Sequence, residues 1–242
     1  MPPSATAYFN AVQQFGSVDD QRISERHNVS LAHKFTVLDR LNESVSQVDL
    51  NHYVGWDTLH ATNPVFEIPN GIFTFRIQNI GDFRFTIAFL VEAFLSYGVS
   101  VLDVLGKDIM HAHNLGKRGL HQNPNLRQIV DKHGLEFGGS ALAKLWSIHY
   151  PSGVKTWVST LKNLRNYYLH EDVCGSVIQM GVMIPTKPEI LLDEEAFPSG
   201  IPVQQRALSY FCPTVTSQLS QLASDTYSLM ESEIQTADRF PL

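Results

Sequence analysis

Between Asp82 and Lys107 the chain carries its most restrictive stretch. Phe83, Phe85, Phe89, Leu90, Phe94, Leu95, Val99, Leu102 and Leu105 cover most of a helical circumference, while Glu92, Ser96, Ser100, Asp103 and Lys107 make one polar stripe at helical spacing. A helix this apolar has to be surrounded, so the chain is expected to fold as a mainly α helical bundle built around it. The stretch approaches membrane length, but Arg84, Glu92 and Asp103 interrupt it, and a bundle core accounts for it without lipid. No transmembrane segment is expected.

A second amphipathic run opens near Val154. Trp157, Val158, Leu161, Leu164 and Tyr168 recur at the three-and-four spacing of one buried face, and Ser152 after Pro151 suits a cap. At about 100° per residue, Arg165 falls inside the apolar arc, His170 roughly opposite, and Asn166 nearer to His170. A guanidinium on a buried arc needs an acid or an anion, because a desolvated, unpaired charge is costly. Two readings stay open on spacing alone: Arg165 snorkels out or pairs with a buried carboxylate such as Asp103, or it holds a phosphate.

Around these two helices the rest of the chain falls into place. Tyr8, Phe9, Val12 and Phe15, then Leu31, Phe35, Val37, Leu38 and Leu41, give two helical segments within residues 5 to 48. Val65–Ile68 and Ile72–Ile77 flank Pro69-Asn70-Gly71, a hairpin signal. Asn123-Pro124 starts a short helix through Lys132, and Ala141 to His149 makes another. After the second amphipathic run, Ser176–Ile184 and Glu189–Leu192 read as a second hairpin turning at Pro185-Thr186-Lys187-Pro188, and the two hairpins are able to share one small sheet. A last amphipathic helix is expected from Pro213 to Thr236, with Val215, Leu219, Leu222, Tyr227 and Met230 on its apolar face. This organisation suggests N-terminal helical segments and a hairpin in 1–80 and the bundle in 81–242, or one compact domain throughout.

With 242 residues, 43% of them hydrophobic, the chain is long enough for a full core. Its formal net charge of -6 is unevenly spread, since Lys107 to Arg165 holds nine basic residues against three acids, together with five of the ten histidines. Such a stretch is either a solvated basic face or a surface for a polyanion, with Lys144, Lys155 and Lys162 as its contacts. Cys174 and Cys212 are the only cysteines and no basic-then-apolar leader opens the chain, so a cytoplasmic location is expected. His111 and His113 stand about 200° apart on a helix and are not expected to chelate together. The usual nucleotide, redox and serine-hydrolase motifs are missing. Neither a cofactor nor a metal is expected.

Leu164-Arg165-Asn166-Tyr167-Tyr168-Leu169-His170-Glu171, preceded by a long apolar helix, resembles the signature of the HEPN superfamily over roughly residues 80 to 175. The resemblance implies a HEPN-like bundle, here with one or two β-hairpins, and a metal-independent endoribonuclease centre. Arg165 would hold the scissile phosphate, Asn166 would orient it, and His170 would act as general base or acid. Glu92, Ser96, Asp103, Tyr167 and Glu171 would support the site. It also implies RNA as the partner and a homodimer with two motifs facing one cleft. The alternative it leaves is a non-catalytic module that binds RNA or protein. Where HEPN toxins controlled by nucleotidyltransferase antitoxins carry a Tyr two residues after the His, this chain has Asp172, so the motif gives no support for that control and names no regulatory partner.

Overall fold

The computed structural model describes residues 2–48, 72–74, 84–113, 141–149, 154–170, 179–183, 187–192 and 194–242. The fold is mainly α. In chain order the elements are α1 (Pro3–Phe15), α2 (Val18–Gln47), β1 (Ile72–Thr74), a π turn over Arg84–Ala88, α3 (Phe89–Ala112), α4 (Ala141–His149), α5 (Trp157–His170), β2 (Gln179–Met183), β3 (Lys187–Leu191), α6 (Val203–Arg206) and α7 (Leu208–Ala237). The expected helix over Asn123–Lys132, the first strand at Val65–Ile68 and the cap at Ser152 lie outside the described residues.

The chain divides into two compact units. The first takes Met1–Leu38, Tyr97–Val158 and Thr216–Leu242, and the second takes Asp39–Ser96 and Ser159–Val215. In the first unit, α1 begins on Pro3, where the missing N–H would have had no helical partner, and ends at Gly16, whose N–H reaches Val12 O at 2.8 Å. A Cβ on Gly16 would stand 2.7 Å from that same carbonyl oxygen, so the backbone passes too close for any side chain. Ser17 then opens α2 through a reciprocal cap: Asp20 N–H donates to Ser17 Oγ at 3.3 Å, and Asp20 Oδ2 accepts from Ser17 N–H at 3.0 Å and from Ser17 Oγ at 2.6 Å.

Side-chain pairs fix how the helices of this unit run. Asp20 of α2 meets His111 of α3, while His33 and Lys34 at the other end lie against Tyr97, so α2 and α3 are antiparallel. Ser4 bonds Ser224 at 3.1 Å and the Tyr8 ring lies 5.1 Å from Tyr227, which sets α1 parallel to α7. Asp108 meets Tyr227, and His113 faces Glu233 at 3.4 Å, which sets α3 parallel to α7. Tyr8, Val12, Leu31, Leu102, Leu105, Trp146, Leu219, Tyr227 and Met230 form the buried core.

The second unit packs Leu90, Phe94, Leu161, Leu164, Leu191, Phe197, Phe211 and Val215. Phe211 is its hinge of packing, edge-on to Phe94 at 6.3 Å and to Phe197 at 5.7 Å between ring centroids. The strands form one antiparallel sheet in the order β1-β2-β3, with Ile72 paired to Met183 and Met180 to Ile190. The two sequence segments with hairpin character therefore meet in a single sheet. Arg206, nearly buried, locks the end of β3: its Nε donates to Leu192 O at 3.0 Å, its Nη1 to Glu194 at 2.8 Å, and its own carbonyl accepts from Leu192 N–H at 2.9 Å.

α3, preceded by the π turn over Arg84–Ala88, runs beyond the expected Lys107 to Ala112, while the expected start at Asp82 lies outside the described residues. Within this stretch Thr86–Ala112 is long and apolar enough to cross a membrane, although half of its most apolar window is buried inside the protein. α7 begins five residues before Pro213, which lies in its second turn and brings no N–H to the helix.

Candidate functional site

α5 presents the motif. Val158, Thr160, Leu161, Leu164 and Tyr168 face inward, and Asn163 and Asn166 are exposed on the other side. Arg165, at the border of the two faces, is half-buried. Its Nη1 donates to Asn166 Oδ1 at 3.1 Å, while its buried Nε has no hydrogen-bond partner among the described residues. The guanidinium is thus held by a neutral amide. Such a contact orients the group without neutralising it, and no acidic partner of it is found among the described residues. Tyr167 and Tyr168 stand edge to face at 5.6 Å, Tyr168 in the core and Tyr167 half-buried.

His170 is the last residue of α5, at the end where the helix dipole favours a cation. Its side chain, and Glu171 altogether, lie outside the described residues. The helical register alone puts position 170 about 40° round the axis from Asn166 and about 140° from Arg165. Of the other expected residues, Lys162, Glu92 and Ser96 are half-buried and belong to the second unit with Arg165 and Asn166, whereas Asp103, Lys144 and Lys155 are exposed and belong to the first. Asp103, being exposed, is not a buried counter-charge for any arginine.

A second polar constellation, which the sequence reading passed over, lies inside the first unit. Asp108 is completely buried, one residue after the polar stripe ends at Lys107. Its Oδ1 is 2.5 Å from His27 Nδ1, and its Oδ2 accepts from Tyr227 Oη at 2.5 Å. A buried carboxylate is tolerated when paired and hydrogen-bonded in this way. One helical turn on, His111 Nε2 is 2.8 Å from Asp20 Oδ1. Burial disfavours the Asp20 carboxylate, but the hydrogen bonds from Ser17 and His111 outweigh it and hold its pKa below the usual range. Burial, together with the charges of Asp108 and Asp20, pushes the Tyr8 phenol well up, and burial with Asp108 does the same to Tyr227. Burial also raises Glu233 and lowers His149. The signal that could have found Asp108 is the one that flagged Arg165: a charge at the azimuth of Val101, Val104 and Leu105 on an apolar helix.

His111 and His113 each face a carboxylate of another helix, Asp20 and Glu233. Among the described residues, no group of three or more His, Cys, Asp or Glu is arranged to hold a metal ion. Cys212 is buried in the second unit, and burial pushes its thiol well up; Cys174 lies outside the described residues. Comparison of the chain with protein-family models, with curated proteins and with solved structures finds no match.

Proposed function

We propose that this is a HEPN-like, RNA-cleaving endoribonuclease that works through Arg165 and His170 without a metal. The observation that carries the reading is the Arg165 guanidinium, half-buried on the motif helix and oriented by Asn166 Oδ1, its Nε without a hydrogen-bond partner among the described residues. A buried arginine nitrogen costs stability unless it meets an acceptor, and a phosphate oxygen is the acceptor the reading supplies. In the reaction the ribose 2′-oxygen attacks the adjacent phosphorus as its proton passes to His170. The bond to the 5′-oxygen breaks, that oxygen takes a proton, and a 2′,3′-cyclic phosphate remains. Arg165 stabilises the charge that grows on the phosphoryl oxygens.

The angle of about 140° between Arg165 and position 170 bears on how such a centre is assembled. Two groups so far apart round one helix reach one phosphate most readily when a second copy of the chain supplies one of them, so the reading includes a homodimer. The same angle favours the second reading, in which Arg165 and Asn166 belong to a non-catalytic surface that binds RNA or protein. Either reading takes α3 as a core helix, in keeping with the buried Asp108 that it pairs to other helices near its C-terminal end.

Cleavage of a mixed RNA panel in the presence of a chelator separates the two. His170→Ala is expected to reduce cleavage by about 10² to 10⁴ while leaving binding largely intact, since general acid–base catalysis is typically worth that much. Arg165→Ala is expected to weaken both, and DNA to stay uncut. Purified protein that binds RNA and leaves it intact establishes the binding module, and cleavage undiminished in His170→Ala refutes the catalytic role.

A further inference from the structure

Among the described side chains of the motif helix α5, the two that are exposed are both asparagines, Asn163 and Asn166. Asparagine is one of the poorer helix formers, and an exposed helix position ordinarily goes to Lys, Glu, Gln or Arg. Two amides one turn apart on the outer face therefore run against the local preference of a helix, and such departures are expected where function rather than folding sets the residue. The charge of the helix is unusual as well. In a chain of net charge -6, α5 holds no Asp or Glu between Trp157 and His170, whereas α2, α3 and α7 each hold several. Lys162 and Arg165 stand beside the amides, both half-buried. Such a face draws a polyanion and has no carboxylate of its own to repel one.

Taking RNA as the ligand of the motif helix, the reading on which this rests, we propose that Asn163 reads the edge of an unpaired base, adenine before the others, and so sets which site in the strand the motif engages. Asn166 is already engaged, since its Oδ1 accepts from Arg165 Nη1 at 3.1 Å. Asn163 is the exposed amide that remains on this face. The helical register puts it on the side of position 170, about 20° away round the axis and about 10 Å away along it, so it reaches a nucleotide close to the one whose phosphate is attacked. A planar amide with an acceptor oxygen and two donor hydrogens matches adenine N6–H and N7 as a bidentate pair. In an A-form duplex the base edges lie in a groove too deep and narrow for side chains, so the base that such an amide reads is an unpaired one.

Fluorescence anisotropy of the full-length protein with two labelled single strands tests this, one an oligouridine and the other the same strand with a single central adenosine. Both are 2′-O-methylated, so that neither can be cut and binding is read apart from cleavage. The wild-type protein is expected to hold the adenosine strand about 5- to 150-fold more tightly, the discrimination a good bidentate pair provides. Asn163→Ala is expected to bring that ratio to about one by weakening the adenosine strand alone, and to leave the salt dependence of binding as it was, because an amide displaces no counterion. Alanine is the better helix former, so the melting temperature of the variant should not fall, which separates a lost contact from a lost fold. Asn10→Ala, at an exposed position of α1, is the control and should keep the wild-type ratio. RNA binding with a wild-type ratio near one, or a ratio that survives Asn163→Ala, overturns the role of Asn163 and leaves cleavage by Arg165 and His170 standing. A preference that depends on Asn163, in a protein that leaves unmodified RNA intact, upholds the role and removes only the catalytic reading. A protein that binds neither strand refutes both.

Discussion

Replacing Asp108 by alanine removes the acceptor on which two helices converge. The Tyr227 hydroxyl, in a completely buried side chain, is left without a partner, and His27 loses its Nδ1 contact but can turn toward water because it is partly exposed. An orphaned buried hydroxyl costs about 1–3 kcal/mol, and breaking a buried pair from one side typically costs about 3–5 kcal/mol in all. Asp108→Ala is therefore expected to destabilise the protein by about 3–5 kcal/mol, which for a chain of this length lowers the melting temperature by roughly 6–20 °C. Urea unfolding followed by far-ultraviolet circular dichroism measures it, with Asp103→Ala as the control. Asp103 lies five residues earlier on the same helix and is exposed, so its loss should fall within about ±0.5 kcal/mol. Tyr227→Phe tests the cause, since in the Asp108→Ala background its cost should vanish, the hydroxyl having nothing left to bond. A cost for Asp108→Ala near that of Asp103→Ala, or additive effects of Asp108→Ala and Tyr227→Phe, would refute the reasoning.

Both buried tyrosines have pKa values raised in the folded state, so the stability they hold is complete below the ordinary phenol pKa of about 10 and is lost as pH rises past it, where the unfolded chain ionises first. The urea midpoint is expected to fall between pH 9 and 11, about those values bracketing the phenol range, and to fall less steeply in Tyr227→Phe. Gly16→Ala drives a Cβ into Val12 O and is expected to cost about 1–3 kcal/mol in the same assay, whereas a neutral result would mean the α1–α2 turn opens without strain. Sedimentation at micromolar concentration is expected to show a species heavier than 27.2 kDa, and a monomer alone would count against a two-copy cleft.

What could be read from the sequence was whatever repeats locally. The apolar run of α3, the face of α5 and the strand-like runs of β2 and β3 each carry their signal locally, and helices and strands stand there. Only Leu31 to Leu41 gave a pattern for the second helix, yet α2 starts at Val18, because Arg22, Ile23, Glu25 and Arg26 lie on its exposed side and hide its inward stripe of Asp20, Ser24 and His27. The cap at Ser17 to Asp20 has the spacing of a capping box and could have marked that start. The pairing of β1 with β2 joins segments more than a hundred residues apart, and no turn chemistry announces it. Of the motif, the periodicity put Arg165 inside the apolar arc, whereas it stands half-buried at the border of the two faces, and it could not show the hydrogen bond to Asn166, which depends on rotamers.

The parallel seam between α1 and α7 has a consequence for how the protein is made. Ser4 and Ser224 are 220 positions apart, and Tyr8 packs on Tyr227, so the first unit draws on stretches more than two hundred residues apart. During synthesis α1 leaves the ribosome long before Tyr227, the partner of Tyr8 and Phe9, and waits for Thr216–Leu242 before the core can close. Contacts of such separation are slow to form and leave apolar surface uncovered meanwhile. Nascent chains stalled before residue 216 should accordingly engage chaperones and resist folding, while chains that have exposed Thr216–Leu242 should let the unit close in one late step.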